Sequence, residues 1–255
     1  MIAWTRLLLA ELRKHAIERL RYLGDFISSI ITIYVVFLAI FYGFSGLAGP
    51  ELPGARLEVL ILVYLSWLFA LTGLQTFSTE VQDEMQRGTL EQLYLSPYGI
   101  SAILIARGMV ELVASFILIA IILTLMMLTS GIWIPVLNIQ ALAAILIALP
   151  SLWGVGLALG GLILINKRAG GLLSILNFAL VALVAFDAYP LNLLSFLPFS
   201  AGAATMRAVL LEGARLSLPW AMFLAAVSVV YMVIGIIVYA LFERSARRRN
   251  LLGQY

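Results

Sequence analysis

The chain is expected to be an all-α membrane protein of six transmembrane helices, and three observations predict it. Of its 255 residues, 63% are hydrophobic and 11% charged, where a soluble domain carries about 25% charge. A soluble fold of this length could not hide so much apolar surface, so lipid has to be the solvent for most of it. The apolar residues also collect into six runs at or near the roughly 20 residues that a span requires. Between the runs the basic residues are distributed unevenly, and that asymmetry sets orientation in a bilayer.

The first element, within residues 1–25, is an amphipathic helix from Ile2 to Leu23. Leu8, Leu12, Ala16 and Leu20 recur every four residues and stack on one face. Arg6, Arg13, Lys14 and Arg21 fall mostly on the other side, and Glu11 with His15 and Glu18 with Arg21 stand at favoured helix-pair spacings. Such a helix is expected to lie in the membrane interface, its basic side toward lipid headgroups. The alternative is a cytoplasmic helix packed on the bundle. A signal peptide is not expected, because the early apolar run Leu7 to Ala10 is broken at once by Glu11, Arg13, Lys14 and His15.

The spans follow in order. Phe26 to Leu47 supplies the first, and Gly49-Pro50 and Pro53-Gly54 then mark a turn. Val59 to Thr79 is the second. Val110 to Thr129 is the third, its helix starting earlier, near Ser101. Ile139 to Ile165 is the fourth, long enough to tilt or to kink at Pro150. Leu172 to Phe186 is the fifth and is marginal in length. Pro219 to Phe242 is the sixth.

With six spans and both termini in the cytoplasm, the inner basic set is Arg6, Arg13, Lys14, Arg19, Arg21, Arg87, Arg107, Lys167, Arg168, Arg244, Arg247, Arg248 and Arg249. That is 13 of the 16 Lys and Arg residues, which leaves Arg56, Arg207 and Arg215 outside. The opposite orientation reverses the ratio. A multi-pass protein of the cell membrane, forming one transmembrane domain over residues 1–255, is therefore expected.

Two segments are neither spans nor simple loops. In the cytoplasmic segment 80–99, Glu80, Glu84, Arg87 and Glu91 are spaced 4, 3 and 4 apart, the repeat of one helix face. Gly88 interrupts that repeat, and Thr89 with Gln92 has the form of a capping box that starts a new short helix. Ser96-Pro97 and Gly99 close it. The external segment 187–218 is too apolar for a loop in water, with Leu193, Leu194, Phe196, Leu197 and Phe199 beside Pro190 and Pro198. It is expected to form a re-entrant or interfacial pair of short helices.

The chemistry of the chain is sparse. No G-x-x-x-x-G-K-[ST] phosphate loop occurs, so no nucleotide cofactor is expected on this chain. There are no cysteines and only one histidine, His15, so thiolate chemistry is excluded and no metal site is expected. No Ser/His/Asp arrangement can be assembled, no catalytic residue is assigned, and the chain is not expected to be an enzyme. Nothing points to nucleic acid. Gly156-x-x-x-Gly160 in the fourth span fits close helix packing in lipid. Ionisable groups inside the spans are nearly absent, which argues against a proton or sodium gradient as energy source. Arg107 and Glu111, four apart at the start of the third helix, either pair with each other or belong to a helix end outside the hydrocarbon. Uncharged polar stripes remain: Thr72, Gln75, Thr76 and Thr79 on the second span, Ser174 and Asn177 on the fifth. They line a translocation path or bind helices together.

These residues resemble a known family, the permease subunits of type-2 ATP-binding-cassette exporters. The stretch Glu84-Met85-Gln86-Arg87-Gly88-Thr89-Leu90-Glu91-Gln92-Leu93, followed by Ser96-Pro97, is similar to that family's E-x-x-x-G-T-L-E-x-L…P signature between the second and third spans. Arg107 falls where relatives often carry a basic residue. Leu197-Pro198 with Met206-Arg207-Ala208-Val209-Leu210-Leu211 is similar to the family's external proline followed by an Arg-Ala-Leu-Leu run. One departure is Phe186-Asp187-Ala188-Tyr189-Pro190, where many relatives carry Ser-Gly before the proline.

The resemblance implies an exporter of two permeases, a second copy or a paralogue, with two separate ATPase subunits that hold ATP and Mg. Glu84, Arg87, Gly88, Thr89, Leu90, Glu91, Leu93 and Pro97 would then couple to the ATPase, and the amphipathic N-terminal helix would sit against it. An amphipathic or lipid-like substrate would leave the cytoplasm between the two permeases, with membrane lipids as the surrounding partners. The rival expectations are an ATP-independent channel or lipid scramblase, and a non-transporting membrane scaffold subunit.

Overall fold

The computed structural model describes residues 2–48, 54–86, 95, 96, 98, 100–135, 138–166 and 170–248. Among the described residues every regular element is helical. The described residues form eight α-helices: α1 (Ile2–Arg21), α2 (Leu23–Ala48), α3 (Gly54–Gln86), α4 (Ile100–Ser130), α5 (Ile139–Ile165), α6 (Gly170–Ala185), α7 (Ser200–Leu211) and α8 (Leu218–Arg248). One 3-10 turn, Leu193–Phe196, lies between α6 and α7.

Five of these helices are long and apolar enough to cross a membrane: α2, α3, α4, α5 and α8. The bounds of α5 are those that the apolar run predicts, and α5 continues through Pro150. Helix α6 has 16 residues, about 24 Å at 1.5 Å per residue, against a hydrocarbon core of about 30 Å. The expected fifth span is thus shorter than the other five. Helix α3, with 33 residues, is about 50 Å long, so its last turns can project beyond the hydrocarbon.

In lipid, apolar surface gains nothing by moving from a lipid tail to a neighbouring helix, so close packing has to come from shape. Glycines on α5 supply it. Gly156 meets α3: a Cβ there would lie 2.5 Å from the Leu74 carbonyl oxygen. Gly160 lies one turn further along, beside Phe77 and Val81 of α3. On another side of α5, Gly154 stands against Gly235 of α8 so closely that a methyl on either would overlap the other helix's backbone. Gly161 continues that seam against Tyr239. The expected Gly156-x-x-x-Gly160 packing is present, and the Gly154–Gly235 crossing is a tighter one that the spacing does not announce.

Helix α5 is therefore central, with α3, α8 and α7 around it. Helix α7 is buried along most of its length, and its Gly202 packs on Ala144 and Ala148 of α5. Between α6 and α7, Asn192 and Ser195 form a reciprocal capping box on the 3-10 turn, and Ser195 donates to the Ala188 carbonyl at 2.8 Å. The segment 187–218 is thus a folded unit tied to the bundle. Helix α2 is held more thinly, through Phe37, Phe41 and a Tyr64 hydroxyl that donates to the Ile33 carbonyl at 2.6 Å. Much of its surface, including Ile27, Ile31 and Val35, is exposed.

Candidate functional site

The charged residues that the sequence places at the ends of spans converge on one end of the bundle. Helix α1 runs into α2 with a break at a single residue, Tyr22, across which the helical hydrogen bonding continues. The start of α1 packs on α4 through Leu7, Leu8, Ile103 and Ala106. From there a stripe four residues apart, Glu11, His15 and Arg19, faces the other helices. Its apolar residues Leu12, Ile17 and Leu20 are exposed. The side of α1 that meets the bundle beyond Leu7 and Leu8 is therefore polar, and its apolar side is exposed.

Arg107 on α4 is the hub. Its guanidinium donates to Glu84 Oε1 at 2.6 Å and to Glu80 Oε2 at 2.9 Å, both on α3. Its Nε donates to Glu11 Oε2 on α1 at 3.3 Å. A guanidinium has five N–H donors in a planar fork and stays charged at any relevant pH, so one side chain can serve three carboxylates from two helices. Side-chain exposure is 11% for Arg107 and 9% for Glu84, while Glu80 keeps 39%. One turn along α4, Glu111 accepts from Arg19 Nη2 at 3.3 Å and lies 3.6 Å from His15 Nε2. That ring nitrogen also lies 3.2 Å from Arg19 Nε. Arg19 can only donate, so it donates to both the His15 ring and Glu111 and supplies a positive charge facing Glu111.

Arg107 and Glu111 consequently do not pair with each other. Each points to a different helix, and the pairs expected within α1, Glu11 with His15 and Glu18 with Arg21, are also replaced. Glu11 reaches α4, and Glu18 lies 4.0 Å from Lys14. A polar cleft of about 740 Å³ opens beside this network, lined among others by Lys14, Glu18, Asp25, Asp83 and Glu84. Of the residues expected to couple to an ATPase, Glu84 is in the network. Arg87, Gly88, Thr89, Leu90, Glu91, Leu93 and Pro97 lie outside the described residues.

The polar stripes are brought together in part. Gln75 on α3 donates to Asn177 Oδ1 on α6 at 3.3 Å, and Trp67 Nε1 donates to the Asn177 carbonyl at 3.4 Å. Thr72, Thr76 and Thr79 bond back to the carbonyls of Leu68, Thr72 and Gln75, four residues earlier in each case, which leaves no hydroxyl hydrogen free for a neighbouring helix. Thr76 turns away from α6: it is buried, and its methyl faces Gly108 of α4. Ser174 is exposed one turn before Asn177. The Gln75–Asn177 pair is thus the polar junction of α3 and α6, with Thr76 outside it.

At the opposite end of α6, Arg207 of α7 donates to the Val184 carbonyl and, at 2.6 Å, to the Phe186 carbonyl. A helix end in a low-dielectric setting leaves carbonyls that need donors, and here an arginine from another helix supplies them. The sequence marks Arg207 only as part of an Arg-Ala-Val-Leu-Leu run; its capping of α6 needs the fold.

Five membrane-length helices sealed by small residues, with ion pairs gathered at one end, define a multi-pass α-helical membrane protein. No protein-family model matches the chain, and no curated protein sequence matches it. Among the described residues no group of His, Cys, Asp and Glu is arranged to hold a metal ion.

Proposed function

We propose that this chain is the membrane-spanning subunit of an ATP-driven exporter, with ATP and Mg bound on partner ATPase subunits of the ATP-binding-cassette type. One observation carries the reading. Glu11, Glu80 and Glu84 join α1, the end of α3 and the start of α4 through Arg107. The chain between those two joined helix ends is the G-T-L-E-x-L segment. A force applied to that segment would reach α3 and α4 together, along with α1, instead of bending one helix alone. Chain segments that transmit force between subunits need such a rigid anchor.

In this reading the chain crosses the membrane six times with both termini in the cytoplasm, and α6 is a short fifth span completed by the re-entrant segment 187–218. The distribution of 13 of 16 basic residues supports that orientation. Capping of α6 by Arg207 supports the short span, because it satisfies carbonyls that water would not reach at depth. A second copy or a paralogue completes the path, and the Gln75–Asn177 junction lies on the half-exposed face of α3 and α6 that would border it. The apolar walls suit an amphipathic or lipid-like cargo.

The test is to purify the tagged full chain in mild detergent together with the products of neighbouring genes, identify every bound subunit, and reconstitute the complex. An ATPase subunit should co-purify, and the lone chain should not hydrolyse ATP. Combining Gly88→Pro with Glu91→Ala should then lower ATP-driven transport by about tenfold or more, about 1.4 kcal/mol in activation free energy. The thermal stability of the membrane bundle should be unchanged. Flux through the chain alone, with no ATPase bound, would favour a channel or scramblase instead.

A further inference from the structure

We propose that the slot between α4 and α5 is a binding site for an acyl chain of a bilayer lipid. Helices α4 and α5 are consecutive, yet each packs on α3 rather than on the other. Their separation leaves a cavity of about 800 Å³ whose walls are mostly apolar, with Thr124 and Asn138 as the polar members. Phe69 of α3, Ile119 and Met127 of α4, Ala141 of α5 and Met206 of α7 are buried and line its depth, while Ala120 and Thr124 on the rim are exposed.

The occupant follows from where the slot opens. Its α3, α4 and α5 walls all belong to membrane-length helices. Its rim is continuous with the outward surface of α4, where Val113, Ile117 and Leu128 are exposed. In a multi-pass membrane protein that surface is already covered by lipid. Water would find almost no polar partners inside, and an apolar cavity of this kind stays dry. A cavity left empty would forfeit the dispersion contacts of its whole lining. Lipid tails are the apolar molecules present at the rim, and an unbranched chain can enter sideways. The small side chain of Ala120 on the rim leaves the opening. Met206 at the far wall places the tail against α7, the short helix whose Arg207 caps α6. The site does not depend on how the protein is powered.

The experiment uses the full chain in phosphatidylcholine vesicles doped with a phosphatidylcholine that carries a diazirine midway along one acyl chain. After illumination, labelled residues are mapped by mass spectrometry. Met206 is the diagnostic position, since it lines the slot and is 2% exposed. The proposal expects label on Met206 and Phe69 as well as on Val230 of α8, which is exposed to lipid directly. Filling the mouth with Ala120→Trp, or separately with Leu142→Trp, should bring Met206 labelling to background while Val230 labelling persists. A wild-type map with Val230 labelled and Met206 clean would overturn the site, as it would if a second copy of the chain covered it. Met206 labelling undiminished in both variants would also overturn it. The wild-type map decides by itself should a variant fail to insert.

Discussion

Replacing Arg107 by methionine is expected to destabilise the full chain by about 3 kcal/mol and to release α1 from the bundle. The substitution keeps most of the side chain's apolar stem but removes the guanidinium that Glu11, Glu80 and Glu84 share. Removing one partner from a buried ion pair costs about 3–5 kcal/mol, because the remaining charge is desolvated and uncompensated. The lower end applies here, since Glu80 keeps 39% of its side-chain surface and can be solvated. Thermal unfolding in detergent measures the first effect. Limited trypsin digestion at Arg13 and Lys14 measures the second, and it should be faster in the variant. Adding Glu11→Gln and Glu84→Gln should restore much of the stability, because the loss arises from like charges left close together rather than from a missing bond. Arg107→Lys should be intermediate: a single ammonium keeps the charge but cannot reach both α1 and α3 with a planar fork. A variant as stable as the wild type would mean that the network contributes nothing.

The second large effect is expected at the crossing of α5 and α8. In Gly235→Ala the new methyl would overlap the Gly154 carbonyl and stand 2.5 Å from Gly154 Cα. The obstacle is backbone, which cannot swing aside as a side chain end can, so the two helices must separate along a seam that also includes Gly161 and Tyr239. Overpacking typically costs about 1–3 kcal/mol, and this site belongs at the top of that range. Gly43→Ala on α2 is the contrasting change. No atom lies within 4 Å of a Cβ there, and alanine is the better helix former by about 1 kcal/mol, so stability should hold or rise. The two variants, compared by thermal unfolding, separate helix–helix approach from any general intolerance of lost glycine.

The spans were legible because a run of apolar residues long enough to cross lipid has few other uses. The run Ile139–Ile165 and helix α5 share both ends, and the marginal length of the run from Leu172 foreshadows the 16-residue α6. The partners of the charged residues were not legible. Periodicity assigns Arg107 and Glu111 to one face of α4 and Glu11, His15 and Arg19 to one face of α1, but it does not state which faces meet. The contacts join residues 96 and 92 positions apart, and the local four-residue spacing of Arg107 and Glu111 leaves open a pair that does not form. The amphipathic pattern of α1 was equally ambiguous. In water the apolar side of a helix turns inward, but beside lipid it can remain outside while polar residues form the joint, as Leu12 and Leu20 do opposite Glu11 and Arg19. The α4–α5 slot has no sequence signal, because it arises from two consecutive helices that each pack on α3.

The functional reading requires the end of the bundle that holds the Arg107 network to face the ATP-bearing compartment. The chain contains no cysteine, so single introduced cysteines report sidedness without background. Leu95→Cys, at an 84% exposed position beside the network end, and Ser217→Cys, in the connection before α8, are each treated in intact cells with a membrane-impermeant maleimide. The expected result is labelling at position 217 in intact cells and at position 95 only after the membrane is opened. Labelling of position 95 in intact cells would put the anchored segment on the outside, where no cytoplasmic ATPase could drive it.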